Sequence, residues 1–132
     1  MFAYFCVAVG GALGSLSRFW LSNMVAQRYG TVFPWGTLVI NVTGSFIIGV
    51  FAALNEPEGH MRGSPAFRQF FMIGVCGGYT TFSSFSLETL REMQGGEWLY
   101  AGGNVVLSVV LCLAAVWLGY VTGGLLNSMK GS

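Results

Sequence analysis

The chain has 132 residues, 54% of them hydrophobic and 15% aromatic; 8% are charged, against roughly 25% in an ordinary soluble domain. Eleven charged side chains cannot cover a soluble domain of this size, so this composition, with a mean hydropathy of +0.65, points to a membrane protein. A net charge of +1 leaves no basic footprint for nucleic acid, and no run of His, Cys and carboxylate has metal-site or triad spacing, so this is not a conventional enzyme.

The positions of the charges predict the architecture. A helix rises about 1.5 Å per residue and the hydrocarbon core is about 30 Å thick, so a span needs roughly 20 residues. Residues 1–17, 30–55, 69–87 and 98–129 carry no charge, and four spanning helices fit at about 2–25, 32–54, 66–93 and 98–127, forming one four-helix transmembrane domain over 1–132.

In the first span, the absence of a basic leading segment argues for a retained helix rather than a signal peptide. Gly10 and Gly14 are four apart, as are Gly74 and Gly78 and then Gly119 and Gly123, so small residues share single faces where backbones can approach closely. Arg18 either snorkels to the headgroups or draws anions into a vestibule. Tyr29-Gly30 marks the break before the second span, where Thr37 and Asn41 lie one turn apart on one face. Such residues either bond to another helix or to something passing through. Glu56-Pro57-Glu58-Gly59 marks the next break.

The third span is the most polar where polarity costs most. It reads Gly77-Gly78-Tyr79-Thr80-Thr81-Phe82-Ser83-Ser84-Phe85-Ser86. Paired glycines and paired β-branched threonines weaken a helix, and carbonyls freed there need partners that lipid does not offer. The span is expected to be broken near its middle, as in helices that line a cavity or hold an ion; the alternative is a kinked helix whose hydroxyls bond back to their own carbonyls. Phe82 and Phe85 are three apart and share a face. The positive edge of an aromatic ring can hold an anion without a fixed charge that would trap it. Glu88 is expected at the membrane interface, paired with Arg91. Gln94-Gly95-Gly96 breaks the chain before the fourth span, where Asn104, Ser108 and Cys112 form a row. Cys6, Cys76 and Cys112 have no ligand-like spacing and are expected to be buried, acting as small hydrophobes.

With four spans, both termini and the second loop share one side of the membrane. That side carries Arg62, Arg68 and Lys130; the other carries Arg28, Arg91 and the late first-span Arg18. This balance gives no electrostatic reason to choose an orientation, so the chain is expected either to insert both ways and pair as an inverted dimer or to take its orientation from other signals. A bundle this thin, with polar faces that cannot all point inward, calls for an oligomer.

The third-span motif resembles the signature of the Fluc (CrcB) fluoride channels, as do Trp35-Gly36-Thr37-Leu38-Val39-Ile40-Asn41-Val42-Thr43-Gly44 and Gly10-Gly11-Ala12-Leu13-Gly14-Ser15-Leu16-Ser17-Arg18. The likeness runs in order through essentially the whole chain. It implies an all-α, dual-topology homodimer of inverted subunits in a bacterial inner membrane, exporting fluoride passively through two pores at the dimer interface. It implies that Phe82 and Phe85 line the path with their ring edges, that Asn41 donates a hydrogen bond in the pore, and that Ser108, Thr37 and Ser84 supply hydroxyls. It further implies a structural sodium ion on the twofold axis, held by the backbone carbonyls of Gly77 and Thr80, with Arg18 near the pore entrance. Tyr79 stands where Leu is more usual and Ser84 where Thr is common; some relatives carry Tyr at Asn104 and Ser at Cys112, and Cys112 is not counted in the path. Fluoride is small and tightly hydrated, so many modest donors in a narrow space suit it. The main rival reading is a small proton-coupled exporter of lipophilic cations, for which Glu88 is the only candidate carboxylate; a second is a non-transporting membrane subunit that packs against a larger partner.

Overall fold

The computed structural model describes residues 1–56, 59 and 63–130, without the side chain of Lys130. Pro57, Glu58 and Arg62, which entered the reading of the second break and of the charge balance, lie outside the described residues. The elements are α1 (Phe2–Tyr29), α2 (Trp35–Leu54), α3 (Pro65–Arg68), a π-helical segment (Gln69–Cys76), α4 (Gly77–Tyr79), α5 (Phe82–Gln94) and α6 (Trp98–Lys130). There is no strand among the described residues. α1, α2, the run Pro65–Gln94 and α6 are each long and apolar enough to cross a membrane.

Local chemistry sets the ends of these helices. Gly30, with φ 83°, closes α1, and Gly96, with φ 77°, turns the chain between α5 and α6; both conformations favour a residue without Cβ. Pro34 precedes α2 at its N-cap, so that helix begins at Trp35 rather than at Val32. Ser64 caps α3 by accepting the Phe67 N–H, with Pro65 in the first turn.

Two helix pairs build the bundle, α2 along α6 and α1 along the third span. The glycine pairs are used within the subunit. A Cβ on Gly10 would strike the Phe70 carbonyl oxygen, and one on Gly14 the Val75 carbonyl oxygen, so the two backbones meet directly. α2 meets α6 in the same way, with Gly49 against Val116 and Gly119 against Phe46. Much of the remaining surface is apolar, including Phe5, Leu16 and Phe19 on α1 and Val106, Leu113 and Trp117 on α6, as a lipid solvent requires.

The thiols differ from expectation. Cys76 is buried, but Cys6 and Cys112 are only half-buried. The only buried positions on α1 are Gly10 and Gly14, which leaves Cys6 beyond the close contact, and Cys112 borders an open groove.

Candidate functional site

Helical backbone ends at Tyr79; Thr80 (φ −81°, ψ 158°) and Thr81 (φ −150°, ψ 116°) are extended; and α5 begins at Phe82. Side chains take up the hydrogen bonds that a continuous helix would have made. The Thr81 N–H, which would return to the Gly77 carbonyl, donates to Asn41 Oδ1 at 2.8 Å, and Asn41 Nδ2 donates to the Thr81 carbonyl at 3.0 Å. The Ser84 N–H, which would return to the Thr80 carbonyl, donates to Thr81 Oγ1 at 3.1 Å as a helix cap. The Gly78 carbonyl accepts from Arg18 Nε at 3.1 Å. Tyr79 Oη and Thr43 Oγ1 are 2.8 Å apart, tying the same region to α2. Back-bonding hydroxyls are present as well: Thr80 Oγ1 donates to the Cys76 carbonyl at 2.9 Å and Ser86 Oγ to the Phe82 carbonyl at 2.9 Å.

Two grooves flank this segment. The larger, about 450 Å³, brings together Asn41, Gly77, Thr80, Thr81, Phe82, Phe85 and Ser108, with Met72, Cys76 and Cys112 among its apolar lining. The second, about 340 Å³, is more polar and contains Thr37, Ser84, Glu88 and Arg91 with Ser22 and Asn23 of α1. The residues implied by the resemblance therefore divide, with Asn41, Phe82, Phe85 and Ser108 in one groove and Thr37 and Ser84 in the other. Arg18 reaches across from α1 to the Gly78 carbonyl. Glu88 makes no ion pair with Arg91 among the described residues; its carboxylate stands against Thr37, with Arg91 close enough to act through its field. The centroids of Phe82 and Phe85 lie 5.3 Å apart with planes inclined at 48°. Phe82 is 78% exposed on the groove's open side.

Sequence reasoning gave Thr89 no part and left Asn104 without an assigned role. Both are buried, Asn104 to within 1% exposure. Asn104 Nδ2 donates to Thr89 Oγ1 at 2.9 Å, and Ser108 Oγ donates to Asn104 Oδ1 at 3.2 Å. Ser108 thus gives its one proton to Asn104 and reaches an anion in the groove only by exchanging that bond. The usable signal was Asn104 itself, since an amide inside an apolar span needs partners.

The described residues contain no group of three or more His, Cys, Asp or Glu able to hold a metal, so a cation here would meet main-chain, hydroxyl or amide oxygens. Gly77 and Thr80, whose carbonyls lose their helical donors to Asn41 and Thr81, both line the larger groove.

The family described as CrcB-like protein, Camphor Resistance (CrcB), matches residues 5–120. A protein of Opitutus terrae is 61% identical over 132 residues, covering all of both chains. One from Rhodospirillum rubrum is 60% identical, over 94% of this chain and 96% of its own. One from Methylocella silvestris is 54% identical, over 98% of each. All three are named fluoride-specific ion channel FluC.

Proposed function

The chain belongs to the CrcB-like family, a multi-pass membrane protein of a transporter family rather than an enzyme, and on that premise we propose that it is a passive, fluoride-selective channel. The observation that carries this reading is the larger groove, where the Phe82–Phe85 pair stands beside Asn41 and Ser108, next to the extended Thr80 and Thr81. Its lining holds no fixed positive charge. Fluoride sheds water for ring edges, an amide N–H and hydroxyls, each strong enough to replace hydration in part and too weak to trap the ion.

The finer assembly follows from the same face. Asn41, Thr81 and Ser108 would meet acyl chains if this groove faced lipid, which is costly for polar groups, so a second, inverted copy covers it. Two grooves then make two pores at the dimer interface, with Phe82 and Phe85 drawn from both subunits. The inverted arrangement is supported by the balanced placement of Arg18, Arg28 and Arg91 against Arg62, Arg68 and Lys130. The Gly77 and Thr80 carbonyls of each subunit would hold a sodium ion on the twofold axis. When bound, that ion would supply positive charge to carbonyls whose usual helical donors are turned to Asn41 and Thr81. Thr37 and Ser84 continue the path into the second groove, and Arg18 lies at its entrance. The membrane is the bacterial inner membrane, and the physiological act is export of fluoride that entered the cell as the neutral acid.

The test is release of fluoride from vesicles holding the purified protein, driven by potassium and valinomycin with no proton gradient. Release under these conditions supports a channel. Transport that needs a proton gradient, is abolished by Glu88→Gln and survives Phe82→Ile would instead identify a proton-coupled exporter.

A further inference from the structure

The helix carrying the two rings does not inherit its orientation from the helix before it, because Thr80 and Thr81 are extended between them. α5 rests chiefly on α6. At its start, Asn41 holds the Thr81 backbone by two hydrogen bonds. Two turns further on, Asn104 holds Thr89. Phe82 and Phe85 lie between these attachments. The second one is continuous and runs in one direction: Ser108 Oγ–H to Asn104 Oδ1, Asn104 Nδ2–H to Thr89 Oγ1, and Thr89 Oγ1–H to the Phe85 carbonyl at 2.8 Å. Each member donates to the next, so the bonds polarise one another, and the chain ends on the backbone of a ring-bearing residue. Its centre, Asn104, is almost fully enclosed and does not line the larger groove.

We propose that Asn104 is a positioning residue for the Phe82–Phe85 pair, fixing α5 against α6 so that the packed rings present to the groove the edges that suit fluoride and disfavour larger halides. This rests on the channel reading above. Without the amide, α5 keeps its apolar contacts but loses the polar attachment that sets its rotation. Ser108 is then also released to turn its proton elsewhere.

The experiment compares full-length wild type, Asn104→Leu, Thr89→Val and the double variant in phospholipid vesicles, reading fluoride and chloride release separately. Asn127→Leu, which removes a comparable tie between α6 and the Ala53 carbonyl at the far end of the bundle, serves as the control. Asn104→Leu and Thr89→Val are each expected to slow fluoride release by about tenfold or more. Both should lower the preference for fluoride over chloride, and the double variant should be no worse than the more affected single variant. If Asn104→Leu does not elute from size exclusion as wild type does, Thr89→Val, which conserves volume, carries the comparison. Unchanged rate and preference in the Asn104 and Thr89 variants, a loss of rate with preference unchanged, or an equal loss of preference in Asn127→Leu overturns the proposal. Absence of fluoride release from wild type itself defeats the channel reading, and the positioning role falls with it.

Discussion

Asn41 engages Thr81 with both ends of its amide, accepting from the Thr81 N–H at 2.8 Å and donating to the Thr81 carbonyl at 3.0 Å. The amide supplies to one extended residue what a neighbouring strand would supply in a sheet, in a place where lipid supplies nothing. One Nδ2 hydrogen is left over, on a side chain that borders the larger groove, and under the proposed function it is the donor offered to an anion.

Asn41→Asp tests this double role. The carboxylate still accepts from the Thr81 N–H, but its second oxygen faces the Thr81 carbonyl with no hydrogen between them, and its charge repels an anion. Fluoride release should fall by about tenfold or more and thermal stability in detergent should fall with it. Full release with the Asp ionised would remove Asn41 from the path.

The close contact between α1 and the third span gives a paired prediction. A Cβ at Gly14 meets the Val75 carbonyl oxygen and lies 2.8 Å from the Tyr79 nitrogen, both of them backbone atoms, whereas one at Gly11 meets nothing within 4 Å. Gly14→Ala should therefore cost about 1–3 kcal/mol, read as a lower unfolding temperature in detergent, and Gly11→Ala should change little. Equal effects at the two positions would mean that the helices do not meet as described.

Arg18 offers a choice between attraction and anchorage. Its Nε bonds the Gly78 carbonyl at 3.1 Å, one residue before the helical backbone ends at Tyr79. Arg18→Met should slow fluoride release by the same factor at low and at high ionic strength, because a lost hydrogen bond is insensitive to screening. An effect confined to low salt would make Arg18 an electrostatic attractor instead.

The sequence was most informative where a property is local. The gaps between charges predicted four spans, and four membrane-capable helices are present among the described residues. Their ends shifted where a single residue decided them: Pro34 delays α2, and α1 runs on to Tyr29 with Arg28 favourably placed in its last turn. The π-helical winding of Gln69–Cys76, the stretch in which Phe70 and Gly74 meet Gly10, was not foreseen, because the apolar pattern is the same for either winding. The chemistry of the candidate residues could be read from their types. Their division between two grooves could not, since it depends on how α2 is rotated against the third span. For the same reason Thr89 was invisible as a partner of Asn104; only packing brings residues 15 apart together.

The balance of Lys and Arg leads to a prediction about insertion. Protein tagged at each end should show both tags on both faces of the membrane, and two added lysines in the α1–α2 connection should bias the population to one orientation and reduce fluoride release. Tags confined to one face in the wild type would contradict an inverted pair.

The account depends most on the ring edges of Phe82 and Phe85, whose centroids lie 5.3 Å apart beside Asn41. The most direct measurement is fluoride release from vesicles containing Phe82→Ile or Phe85→Ile, with the oligomer verified by size exclusion. Isoleucine keeps the bulk and apolarity but has no polarised ring edge, so release should fall by about a hundredfold while assembly is unchanged. Near-normal release in either variant would contradict the claim that these rings line the path.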